Sequence, residues 1–76
     1  MLTSSQIRAA RALVRWSARE LAERARLSLP TIQRLEAAEG MPSTSVKTML
    51  AIKAALENVG VEFTNGDSPG VRMKAR

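Results

Sequence analysis

Neither cysteine nor histidine occurs among the 76 residues, and the aromatic side chains amount to one tryptophan and one phenylalanine. Without thiol or imidazole there is no disulfide framework, no thiolate or imidazole metal site, and no Cys-His or Ser-His nucleophile pair. No cofactor and no metal are expected. So few aromatics in so short a chain leave little room for a substrate pocket. Two carboxylate pairs at helical spacing, Glu20 with Glu23 and Glu36 with Glu39, are accounted for by capping and ion pairing, so an enzyme is not expected. No apolar run approaches the roughly 18 residues a membrane span needs, and the N-terminus lacks the continuous apolar stretch of a signal peptide. A cytoplasmic protein without membrane association is the expectation.

What is present is charge of one kind in one place. The chain carries a net +5, and between Met1 and Glu36 seven arginines face three glutamates with no lysine among them. Such a surplus suits either a solvated face or a polyanionic partner, and composition alone does not separate the two. At this length a single core is near the lower limit of self-sufficiency, so helix packing and oligomerisation are the remaining supports.

The segment from Ser17 to Glu36, SARELAERARLSLPTIQRLE, reads as two short helices in close succession. Ser17 with Glu20 forms a capping-box pattern, with Trp16 and Leu21 placed as a staple. Ser28 is a second N-cap, Pro30 pre-sets φ in the first turn, and Leu27 with Ile32 repeats the staple. Helices joined this closely cross steeply, which is a helix-turn-helix unit. Ahead of it, Thr3 with Gln6 and Leu2 with Ile7 open a first helix near Ser4; Ile7, Ala10, Leu13 and Val14 give its buried stripe, and Arg8, Arg11 and Arg15 a separate row. That helix ends near Val14 or Arg15, the second covers Ala18 to Ala25, and the third covers Leu29 to Ala37. Ile32 and Leu35 point inward on the third, leaving Leu29, Pro30, Gln33 and Arg34 as the candidate reading surface. After the break at Gly40 and Pro42, Ser43 is the candidate cap of a fourth helix running through Asn58, with Val46, Met49, Leu50, Ile52, Leu56 and Val59 as its apolar face and Gly60 at its end.

From Gly60 the period changes to alternation, Val61-Glu62-Phe63-Thr64 and Val71-Arg72-Met73-Lys74 around a turn-rich loop, which describes a β-hairpin. Its apolar face, Val61, Phe63, Val71 and Met73, needs cover from the helices or from a second copy of the chain, and a detached tail is the competing reading. Residues 1–60 are thus expected to form a helix-turn-helix domain and residues 61–76 a C-terminal β extension that joins two subunits.

The pattern Ile7-Arg8-Ala9-Ala10-Arg11, Trp16-Ser17-x-x-Glu20-Leu21-Ala22, Ser28-x-x-Thr31-Ile32-x-x-Leu35-Glu36 and Gly40-x-Pro42 resembles the Cro/repressor-type (XRE) helix-turn-helix regulators over roughly residues 4 to 59. The closing GVEF and GVRMK segments resemble a bacterial subgroup in which strand replaces a fifth helix. The resemblance implies a mainly α, lambda-repressor-like bundle of four helices with a C-terminal β-hairpin or strand pair. It implies a DNA-binding transcriptional regulator, a homodimer on a two-fold-symmetric operator in double-stranded DNA, with the third helix in the major groove. Leu29, Pro30, Gln33 and Arg34 then fall at base-reading positions: Gln33 toward adenine N6 and N7, Arg34 toward guanine O6 and N7 or a phosphate, Leu29 or Pro30 toward a thymine methyl. Arg15, Ser17, Arg19, Ser28, Thr31, Ser43, Thr44 and Lys47 fall at phosphate-contacting positions, several of them at helix starts where the dipole favours an anion. Arg11 and Glu36 match a structural ion pair of the family.

Three positions depart from it. Arg15 and Arg26 stand where glycine is usual because the chain turns there through a left-handed conformation, and Ala18 stands where a glutamine often binds phosphate. Two other functions fit the same fold: the antidote half of a toxin-antidote pair, with a protein partner on the C-terminal strands, or a protein-interaction domain without DNA activity, which Ala18 favours.

Overall fold

A computed structural model describes residues 2–65 and 67–74; Met1, Gly66, Ala75 and Arg76, which the expected extension and its turn include, lie outside the described residues. Four helices, α1 (Ser4–Val14), α2 (Ala18–Ala25), α3 (Leu29–Ala37) and α4 (Val46–Glu57), are followed by strands β1 (Val61–Thr64) and β2 (Gly70–Met73). The chain is therefore mainly α with a small antiparallel sheet, the lambda-repressor-like arrangement.

Each helix starts where a hydroxyl side chain can take a free amide. Thr3 Oγ1 accepts the Gln6 amide at 3.1 Å while Gln6 Oε1 accepts the Thr3 amide at 2.9 Å, a complete capping box, and Leu2 and Ile7 are buried beneath it. Ser17 Oγ accepts the Glu20 amide at 3.0 Å, but the reciprocal half of the expected box is missing, because the Glu20 carboxylate takes Nε of Arg24 instead at 2.9 Å. Ser28 Oγ accepts the Thr31 amide at 3.3 Å with Pro30 in the first turn. The cap of α4 is Ser45, not Ser43: its Oγ accepts the Thr48 amide at 3.1 Å. Capping requires the residue directly before the first helical one, and Pro42 to Thr44 remain non-helical.

Both α1 and α2 end on an arginine in the left-handed region, Arg15 at φ 59° and Arg26 at φ 58°. A β-carbon in that region costs about 1 kcal/mol or somewhat more. Gly60, at φ 102°, ends the segment after α4; a β-carbon there would approach Met73 Cε to 3.2 Å, which that exposed side chain can relieve by a small shift, so it is the backbone conformation that calls for glycine.

The core is one cluster contributed by every helix, including Ile7, Leu21, Ile32, Leu35, Ile52 and Leu56, with Val61 of the hairpin completing it. Met49 is the only core methionine among the described residues. Four residues expected on apolar faces are not covered: Leu13 is 42% exposed, Val46 61% and Leu50 54%, and Val59 is also exposed. Only Met49, Ile52 and Leu56, at spacings of three and four, form the buried stripe of α4 together with Ala55. Val46 lies at the helix start, Leu50 is turned about 100° from Met49, and Val59 follows the helix end.

The hairpin pairs Val61 with Met73, Glu62 with Arg72, Phe63 with Val71 and Thr64 with Gly70. Phe63 and Val71 pack half-buried on the helical core, while Met73 stays 45% exposed. Gln6 fixes the hairpin to α1: its Nε2 donates to the Thr64 carbonyl at 2.9 Å and to the Gly70 carbonyl at 3.1 Å. Of the apolar face expected to need cover, Val61 is buried by the chain's own helices, while Phe63 and Val71 are covered by them only in part.

Candidate nucleic-acid interface

Three residues, Arg26, Leu27 and Ser28, connect α2 to α3. The left-handed Arg26 lets its own amide reach the Glu23 carbonyl at 3.2 Å and the Leu27 amide reach the Ala22 carbonyl at 2.8 Å, closing the end of α2. Leu27 packs against the core and Ser28 caps α3 at once, so the two helices are set at a fixed angle by a turn with no spare length.

On α3 the buried pair Ile32 and Leu35 turns the opposite side outward. Pro30, Gln33 and Arg34 are exposed there and Leu29 is half-buried beside them, so the four expected reading residues share one surface. Gln33 makes no hydrogen bond among the described residues, leaving its amide open to a ligand. Arg34 is braced: Nη1 donates to the Ser43 carbonyl at 3.2 Å, which ties the outward face of α3 to the segment before α4.

The far end of α3 has no glycine cap; Ala38 follows it in extended conformation. Side chains of α1 take over. Ser4 Oγ donates to the Leu35 carbonyl at 2.6 Å, and Arg8 Nη1 donates to the Glu36 carbonyl. Arg11 meets the Glu36 carboxylate at two points and also donates from Nη1 to the Trp16 carbonyl at 3.0 Å. The hydrogen bond to Glu36 raises the Arg11 guanidinium above its ordinary range; burial opposes this and the carboxylate's charge adds to it. Ser4, Arg8 and Arg11 lie at spacings of four and three on one face of α1, a regularity that marks them as a unit. Their carbonyl acceptors have no signature in the sequence.

The expected phosphate-contacting residues divide. Arg15, Ser17 and Arg19 are exposed around the start of α2. The Ser28 and Thr31 hydroxyls share a 2.8 Å hydrogen bond at the start of α3. Ser43 and Thr44 are not in the first turn of α4 but in the segment ahead of it, and only Lys47 lies on the helix. Of the seven arginines up to Glu36, Arg8, Arg11, Arg24 and Arg34 bond within the chain, Arg24 also lying over the Trp16 ring at 5.0 Å. Among the described residues, Arg15, Arg19 and Arg26 make no side-chain hydrogen bond or ion pair.

A family model described as helix-turn-helix matches residues 7–58, spanning all four helices, and the chain belongs to that family, the Cro/repressor (XRE) type of regulators. It is accordingly a DNA-binding helix-turn-helix protein of transcription regulation, from a family that is not typically enzymatic. Comparison with curated proteins finds no match. Among the described residues no helix is long and apolar enough to cross a membrane.

Proposed function

We propose that this protein is a sequence-specific transcriptional regulator that seats α3 in the major groove of double-stranded DNA. The observation that carries the reading is the outward row of Leu29, Pro30, Gln33 and Arg34 on a helix fixed at both ends, by the Ser28 cap and by the clamp from α1. Gln33 supplies a donor and an acceptor for an adenine edge, and Arg34 keeps donors beyond the one on Ser43 for a guanine or a phosphate. Ser17, Arg19, Arg15, Ser28, Thr31 and Lys47, with Ser43 and Thr44 ahead of α4, ring this row and suit phosphate contacts that set position without choosing sequence. Duplex binding measured across a salt series, on fragments selected from random DNA, tests it: affinity falls steeply with salt and one sequence is preferred. Absent or salt-insensitive binding would instead support a protein-interaction or antidote role, to which the exposed Val46 and Leu50 on α4 and the apolar Ala18 lend themselves.

A homodimer is the form this reading favours, since one module contacts few bases. The Lys74 amide donates to the Gly60 carbonyl at 2.7 Å, so by the alternation of an antiparallel ladder the backbone groups of Val71 and Met73 turn away from β1. Pairing of β2 with β2 of a second copy would satisfy them, with Met73 as the exposed apolar contribution. Deleting residues 61–76 is a poor test, because it takes Val61 from the core and both acceptors from Gln6. Met73→Pro removes one outward amide from an exposed position. A monomer by light scattering with an unchanged helical spectrum is expected, and an unchanged dimer mass would exclude β2 pairing.

A further inference from the structure

Arg15 and Arg26 bracket α2, one in each of its flanking turns, and both hold a left-handed backbone, at φ 59° and ψ 35° and at φ 58° and ψ 45°. They are the positive-φ residues other than glycine among those described. Residues in such a conformation persist where something offsets the strain; the arginines in ordinary helical backbone, Arg8, Arg11, Arg24 and Arg34, bond elsewhere in the chain. Arg15 and Arg26 do not: both are exposed, and among the described residues neither guanidinium has a hydrogen-bonding or ionic partner.

We propose that Arg15 and Arg26 are a pair of phosphate clamps, one on either side of α2, whose benefit is realised only on the nucleic-acid backbone. The proposal rests on the DNA-binding reading and extends it to Arg26, a turn residue outside the ring of contacts described above. Eight residues of α2 separate the two turns, about 12 Å at the rise of an α-helix, wide enough for the guanidinium groups to meet different phosphates of one strand. Between them Ser17 and Arg19 are exposed, while Ala18 is half-buried against the core and has no polar side-chain atom to offer, so cations at the flanks supply what its side chain cannot. Arginine suits the task because its fork of donors matches phosphate oxygens and its charge is permanent.

The rival account is that each arginine steadies the carbonyl end of the helix it follows, since cations favour helix C-termini. The two accounts give opposite signs when glycine replaces arginine. Arg15→Gly and Arg26→Gly are each expected to keep or raise Tm while lowering the slope of log affinity against log salt by about 0.9 on a mixed-sequence duplex. Arg15→Lys and Arg26→Lys are expected to retain the slope. A lowered Tm in the glycine variants, or an unaltered salt slope in a chain whose wild type binds duplex, would overturn the clamp assignment and leave the DNA reading intact. Failure of the wild type to bind duplex at any salt would overturn both.

Discussion

The guanidinium of Arg11 lies side-on to the carboxylate of Glu36, Nε to Oε2 and Nη2 to Oε1 both at 2.8 Å, so the last turn of α3 is held to the middle of α1 at two points. Glu36 is mostly buried and Arg11 partly so, which makes the pair worth more than one at the surface, though solvent still screens it. Arg11→Met or Glu36→Gln is expected to lower unfolding free energy by about 1–3 kcal/mol in urea titrations. Arg11→Lys recovers only part of this, because an ammonium cannot make the two parallel bonds. Since the folded-state pKa of Arg11 is raised, its contribution is complete below the unfolded-state value and is lost only as pH rises through the folded one. The Arg11 contribution should therefore stay flat through neutral pH and fall away in strongly alkaline solution.

Gln6 satisfies three backbone groups at once, the Thr3 amide and the Thr64 and Gly70 carbonyls. Gln6→Ala should cost about 2 kcal/mol, and hydrogen exchange should show the amides of β1 and β2 opening before those of α3. Gln6→Glu retains the acceptor for Thr3 but sets a carboxylate against two carbonyl oxygens, so it should open the hairpin at least as far.

The position of the α4 cap makes a paired comparison possible. Ser45→Ala is expected to lower stability by about 1 kcal/mol, whereas Ser43→Ala should change it little, because Ser43 contributes its backbone carbonyl to Arg34 and its hydroxyl caps nothing.

Within the proposed reading surface, Gln33→Ala and Lys47→Ala should separate sequence choice from grip. The first is expected to relax preference at one base position by about 1–3 kcal/mol, scored by competition between selected and altered duplexes. The second should weaken all duplexes alike. Arg34→Ala should also relax base preference more than Lys47→Ala does. Its bond to Ser43 adds a thermal-stability readout that Gln33→Ala lacks.

Much of this architecture could be read from residue spacing, and what escaped did so for identifiable reasons. Ser17 and Ser28 were legible as caps because each stands alone before a helical period, and Thr3 because Gln6 three residues on completes a capping box, whereas Ser43-Thr44-Ser45 offers three hydroxyls in a row with no Glu or Gln three residues on to choose among them. Leu13, Val46 and Leu50 carry a helical period, yet no neighbour covers them, and periodicity describes a helix without describing its neighbours. The family pattern marked Arg15 and Arg26 as places where glycine usually turns left-handed, but with arginine there the sequence left the shape of the turn open, and both prove left-handed. The Arg11–Glu36 pair was legible from the family pattern, which has an ion pair between those two side-chain positions. The bonds of Ser4, Arg8 and Arg34 were not, since each ends on a backbone carbonyl that every residue possesses. The outward row of α3 was legible from its inward partners, while the choice between the chain's own helices and a second copy as cover for the hairpin needed three dimensions.

The bonds from Gln6 span 58 and 64 positions of sequence, and a ribosome makes these partners in order. The capping box at Thr3 needs only the first few residues, but the Gln6 amide group lacks its full pair of acceptors until Gly70 has emerged. Contacts of such separation form late and together, after the local helices. A nascent chain arrested before Gly70 would carry every residue of α3 while the first helix still lacked its seam to the hairpin. Emergence of the strand pair, by bringing two carbonyls to one glutamine, thus supplies the seam that joins the hairpin to the first helix.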